Sequence, residues 1–223
     1  MWSRRLSLTV LVLLTAGWGQ QVTSDGVPNQ PAAGILPTIT FTRNWDDAQP
    51  SFLKIETDSA GRARYESQDP KSEEPYTEDF TLSRATRAKI FDLAEKTNFF
   101  NGNFDFKQHK IAFTGTKTFA YHDAAHIGQT SYNWSQNQSI ERLTNLFIAI
   151  SNTIEAGRKV DFLIHYDKLG LDHQLEAMEA QAGSGQMIEL QLVAPALNEI
   201  ASNPVYMHIA QQRARHLLQL AGR

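Results

Sequence analysis

Ser51-Phe52-Leu53-Lys54-Ile55-Glu56-Thr57, then Asp58-Ser59-Ala60-Gly61, then Arg62-Ala63-Arg64-Tyr65-Glu66: this run decides the fold class. Apolar and polar residues alternate with period two on both sides of a turn-rich tetrad, which predicts a β-hairpin with one buried face. Upstream, Ile39 and Phe41 alternate with threonines from Thr38 onward and predict a further strand. Downstream, Asp69 to Asp79 holds five acids, one lysine and two prolines, and reads as a solvated loop.

The period then changes. Phe80-Thr81-Leu82 leads to Ser83, whose hydroxyl suits a helix N-cap. Ala85, Ile90, Phe91, Leu93, Ala94 and Thr97 mark one face of a helix ending near Asn98. Phe99, Phe100, Phe104 and Phe106 follow as core plugs and a strand edge. Lys110-Ile111-Ala112-Phe113 and Thr118-Phe119-Ala120-Tyr121 bracket Thr114-Gly115-Thr116-Lys117, a second hairpin, and Gln129 to Ser135 adds a strand. Ile140, Leu143, Leu146, Phe147, Ile150 and Ile154 form the strongest helical stripe of the chain, with Gly157 as its stop.

Beyond residue 158 the pattern is helical throughout. Leu171, Leu175, Met178 and Ala182 form one stripe, ended by Gly183-Ser184-Gly185. Leu190, Val193, Ala194, Leu197, Ile200 and Ala201 form another. Pro195 requires that helix to kink or to begin near Ala194, and the alternation Ile188, Leu190, Leu192 leaves a short strand as the minor alternative. Asn203-Pro204 reads as an N-cap and first-turn pair, opening a last helix through Ile209, Ala210, Leu217 and Leu220. The expected fold is therefore α+β. A small antiparallel sheet, covered on one face by two helices, occupies residues 38–157, and a three-helix all-α segment occupies residues 158–223.

The 223 residues carry 21 Lys+Arg against 24 Asp+Glu, no cysteine, and 41% apolar residues. That mixture excludes wholesale disorder. The absence of cysteine excludes a disulfide scaffold, a thiolate metal site and a cysteine nucleophile. The mildly acidic balance argues against nucleic acid, which would need a concentrated basic face. Met1 to Gly19 has a basic start at Arg4 and Arg5, an apolar run from Leu6 to Leu14, and small residues at Ala16, Gly17 and Gly19. This is the pattern of a secretory signal peptide, too short to span a bilayer. Residues 20–37, with Pro28, Pro31 and Pro37, read as a disordered leader. The expected protein is exported, periplasmic or secreted, with no membrane anchor after cleavage.

Over residues 50–157, on the strength of Leu93-Ala94-Glu95-Lys96-Thr97-Asn98-Phe99-Phe100 set between two hairpins and a closing helix, the chain resembles an uncharacterised family of exported bacterial domains. Members often carry a Cys-containing motif in the first strand. This chain has none, so a role resting on that motif does not transfer. Residues 188–218, with Asn203-Pro204 between two helical stripes, are similar to a single HEAT-like repeat unit, which implies packing and contact surfaces rather than catalysis.

Candidate chemistry centres on histidine. In His122-Asp123-Ala124-Ala125-His126 two imidazoles stand four apart with a carboxylate between them, and His109 is expected to reach the same end of the sheet. Those four residues (His109, His122, Asp123 and His126) are the metal-site candidates, and through them a metal-dependent hydrolase. The strand-like flanks instead make the stretch a loop. His165, Asp167, Asp172 and His173 offer a second pairing, although both acids also suit helix starts. Gly183-Ser184-Gly185 follows a helix and lacks the strand-to-helix context of a serine nucleophile. Glu73-Glu74 lacks the walls that would raise one carboxyl pKa. Tyr121, Tyr132 and Trp134 near strand ends could line a groove for a small ligand or glycan, or serve as sheet core, and an open sheet edge could accept a partner strand. No cofactor motif is present. The preferred expectation is a non-enzymatic protein-binding module of the bacterial cell envelope.

Overall fold

A computed structural model describes residues 35–72 and 74–222. The signal-like start, the leader up to residue 34, and Glu73 of the paired acids lie outside them. Six strands, β1 (Thr38–Asn44), β2 (Phe52–Asp58), β3 (Arg62–Gln68), β4 (Tyr76–Thr81), β5 (Thr116–His122) and β6 (Ile127–Tyr132), form one antiparallel sheet in the order β4-β3-β2-β1-β5-β6. The register lines up the inward residues. Phe41 lies opposite Ile55 and Phe119, and Ile55 lies opposite Tyr65. All four are fully buried, while Glu56 and Arg64 on the other face are exposed. The Asp58 carboxylate closes the first hairpin by accepting the amides of Ala60 and Arg62 at 3.0 Å each. Gly61 follows at φ +93°, a conformation that favours glycine.

Two helices cover the inward face. In α1 (Arg84–Lys96), Ser83 is the N-cap and its Oγ accepts the Thr86 amide. Helix α2 (Gln138–Tyr166) is capped by Asn137. Ile90, Leu93 and Ala94 of α1 join Ile140, Leu143, Phe147, Ile150 and Ile154 of α2 in one core with the sheet. Phe100 plugs that core by stacking on Phe119 at 5.0 Å. This is the α+β arrangement expected, with two helices on one face.

The rest of the chain is helical: α3 (Leu171–Gly183), α4 (Ala194–Ser202) and α5 (His208–Ala221) close a second core with Val160, Leu163 and Ile164 of α2. Arg213 of α5 binds Asp172, Glu176 and Glu179 of α3 at 2.7 to 2.9 Å. Glu189 ties this part to the sheet layer. Its carboxylate accepts the Ser83 amide and hydroxyl at 2.7 Å each and the Thr86 hydroxyl. Ile35–Arg223 is one compact unit.

Four local expectations are corrected, and the alternatives left open around Pro195 are resolved. The acidic stretch is not all loop, because Tyr76–Thr81 forms β4. At the sheet edge its carboxylates stay near water, so charge does not oppose the strand. Lys110–Phe113 forms no strand: β5 already pairs with β1 and β6, leaving no edge for it, and Phe113 is 60% exposed. The second hairpin is β5–β6 instead. Gly157 does not stop α2, which runs on to Tyr166. Glycine is there because a Cβ would come within 2.6 Å of Val193 Cγ1. Leu190–Val193 is a 3₁₀ turn rather than a strand, and α4 begins at Ala194 with Pro195 in its first turn. Asn203 caps no helix start. Its Oδ1 accepts the Val205 amide in a turn, and α5 opens five residues later at His208.

Candidate functional site

The β5–β6 turn carries three of the four candidate metal residues. His122 ends β5, and Asp123 to His126 make the turn. Asp123 Oδ1 accepts the amides of Ala125 and His126 at 2.7 and 2.6 Å, and its Oδ2 accepts the Tyr121 hydroxyl at 2.7 Å. The Tyr121 hydroxyl and those two amides hold the Asp123 carboxyl well below the usual carboxylate range. Burial and the same carboxylate push the Tyr121 hydroxyl up to about 12. His126 stacks on Phe99 at 4.2 Å, with Nδ1 3.3 Å from Asp123. The aspartate thus acts as an anionic staple for a tight turn, as in other Asx-type turns.

His109 does not reach this end. It packs beside Phe106, 5.9 Å between ring centroids, and Phe106 meets Trp134 edge-on at 5.0 Å. Trp134 lies past the Lys117–Tyr132 pair, whereas His122 pairs with Ile127 at the far end of the same ladder. At ~3.3 Å per residue, about 20 Å of strand separates the two positions. Among the described residues no group of three or more histidines and carboxylates is placed to hold a metal ion.

The other pairings resolve into helix joints. Asp167 Oδ1 accepts the Gly170 amide, Asp172 pairs with Arg213, and the His165 ring contacts the Asp161 carbonyl oxygen. Ser184 follows α3, as a helix-ending turn requires. Tyr121 and Tyr132 are core residues, the latter bonding Thr144 Oγ1 at 2.6 Å, so of the three aromatics only Trp134 is open to solvent.

What the sequence reading missed is the outer surface at the end of α2. Phe162, Tyr166 and Leu169 are 52, 77 and 75% exposed. Phe162 and Tyr166 meet at a tilt, 4.9 Å between ring centroids, with Lys159 Nζ 5.3 Å over the Phe162 ring. Val205, Met207 and Ile209 add a second exposed apolar run at the α4–α5 turn. Extending the helical period past Gly157 would have shown the first group: Val160, Leu163 and Ile164 face inward, which leaves Phe162 and Tyr166 outside.

Architecture and surface together define an α+β protein with an appended helical layer and exposed aromatic side chains. The sequence matches no family model and no curated protein. Among the described residues no helix is long and apolar enough to cross a membrane.

Proposed function

We propose that the chain is an exported, non-enzymatic protein-binding module of the bacterial cell envelope. The observation that supports binding is the exposed group Phe162, Tyr166 and Leu169. Isolated surface apolar residues are ordinary, but neighbouring aromatics left in water favour a partner that covers them. The export half of the proposal rests on the sequence of residues 1–19. The likeness of residues 188–218 to a HEAT-like unit agrees with a contact role.

Lys159 and Lys168 flank this surface and are both exposed, so amine cross-linking in the native envelope samples it directly. Mass spectrometry should return one reproducible partner cross-linked through these lysines, and that partner should be lost when Tyr166 and Leu169 are both replaced by serine. Failure to recover any specific partner overturns the binding reading.

A further inference from the structure

The sheet has two edges, β6 and β4. At β6 the inward face of Gly128 is covered by the Phe99 carbonyl, which lies where any Cβ there would point, and past the strand end Phe106 N–H bonds to the Trp134 carbonyl at 2.9 Å. β4 lies beside a cleft. Its six residues pair without a bulge to β3, from Ser67–Tyr76 to Arg62–Thr81, and among the described residues no other backbone bond reaches it. Proline, the usual block to pairing, stands only before it, at Pro75.

The inward residues of β4 border a cleft of about 180 Å³ between the sheet edge, α2 and the start of α4. Tyr76 and Glu78 form one wall, Gly157 and Asp161 the second, and Val193 and Pro195 the third. Its charges are unevenly satisfied. Arg158, at its rim, is engaged by Glu155 at 3.4 Å and lies 4.9 Å over the Tyr76 ring. Glu78 accepts only the Tyr76 hydroxyl, at 2.7 Å. The Asp161 carboxylate has no hydrogen bond and no ion pair among the described residues. Partial burial pushes its pKa up, His165 opposes that shift, and Glu199 adds a smaller upward push. The uncompensated charge of the cleft is negative.

We propose that β4 is a docking edge for an extended segment of another protein, which adds as a seventh strand and places a lysine or arginine side chain in the cleft against Asp161 and Glu78. In strand addition the backbone ladder supplies affinity, and side chains at alternate positions supply specificity. The partner is basic because the cleft is acidic. A second copy of this chain is disfavoured, since it would bring Glu78 and Asp79 against the same acids, the inward-charge device that keeps natural edges apart. This inference rests on the protein-binding reading and names the chemistry of a partner. It uses the β4 edge, which adjoins the Phe162 surface at Arg158.

The test uses nine-residue peptides of alternating valine and threonine with lysine, alanine or glutamate at the central, cleft-facing position. Binding to the purified protein is read by fluorescence anisotropy, and the contact is located by hydrogen exchange. The lysine peptide should bind at least about tenfold more tightly than its glutamate twin, the scale of one well-formed charge contact. Asp161→Asn combined with Glu78→Gln should erase that preference, and the amides of residues 76–81 should gain protection. Equal binding of the lysine and glutamate peptides, no binding by any peptide, or protection elsewhere overturns the proposal. A partner cross-linked through Lys159 or Lys168 without protection of β4 also overturns it, yet leaves the binding reading intact; absence of any partner removes both.

Discussion

Replacing Gly157 with alanine sets two effects of known size against each other. Alanine is favoured over glycine in a helix interior by about 1 kcal/mol, so helix propensity alone makes Gly157→Ala stabilising. The structure opposes this, because the new Cβ would sit 2.6 Å from Val193 Cγ1, well inside van der Waals contact. Val193 is buried in the second core and its branched side chain cannot swing away. Overpacking of this kind costs about 1–3 kcal/mol. We expect net destabilisation of about 1 kcal/mol in the parent protein. In a Val193→Ala background the collision disappears, and the same substitution should stabilise by about 1 kcal/mol, a coupling of about 2 kcal/mol for the contacting pair. Urea midpoints of the four proteins, at unchanged m-value, measure the cycle. If Gly157→Ala stabilises equally in both backgrounds, the close packing of α2 on the Leu190–Val193 turn is wrong.

Three further outcomes follow from the same geometry. Glu189 has a left-handed backbone, φ 60° and ψ 39°, and a carboxylate bonded to the start of α1. Glu189→Ala should cost about 2–4 kcal/mol through lost charge-assisted bonds and buried donors left unpaired. Glu189→Gly, which also relieves the backbone, should cost about 1 kcal/mol less; thermal melts that rank alanine above glycine would refute the strain. For Asp161 the sign is set by its raised pKa. The folded state favours the protonated carboxyl, so stability falls as pH rises from below the ordinary value of 3.8 through the folded value. Asp161→Asn should therefore be more stable than the parent at about pH 7 and equal to it at about pH 3; a parent more stable at neutral pH would mean that Asp161 is paired after all. Tyr166→Ser with Leu169→Ser touches no core residue and should shift stability by less than about 0.5 kcal/mol, measured by urea unfolding alongside the cross-linking yield.

What could be read in advance was local. Period-two alternation in 51–66 yields β2 and β3 because the buried row Leu53, Ile55, Ala63 and Tyr65 is written into neighbouring residues. Ser83 yields the start of α1 because capping acts over three residues. The failures come where a residue's meaning depends on a distant partner. A glycine that ends a helix and a glycine that admits Val193 are identical in sequence, and only the second lets α2 run its 29 residues. Ile111 and Phe113 alternate as well as Ile39 and Phe41 do, but β5 has no free side left to pair with them. The histidine candidates show the same limit. Asp123 and His126 meet because a turn joins them, whereas the position of His109 is decided by Phe106 and Trp134.

The features that suggest function are the ones that break local rules. Glu189 is buried without a cation, in a conformation suited to glycine, and its partners Ser83 and Thr86 lie 106 and 103 residues away. Asp161, exposed beside a cleft, has no ion pair among the described residues, and β4 presents half-buried Glu78 on the inward side of an edge. Conflicts between local preference and global fold concentrate where function is maintained at a cost in stability. For Glu189 that cost is recovered inside the chain, because its carboxylate secures the turn before α4 to the first turn of α1. Among the described residues Glu78 has only the Tyr76 hydroxyl as partner, and the Asp161 carboxylate has none. That asymmetry is the reason for seeking their counterpart on a basic partner strand.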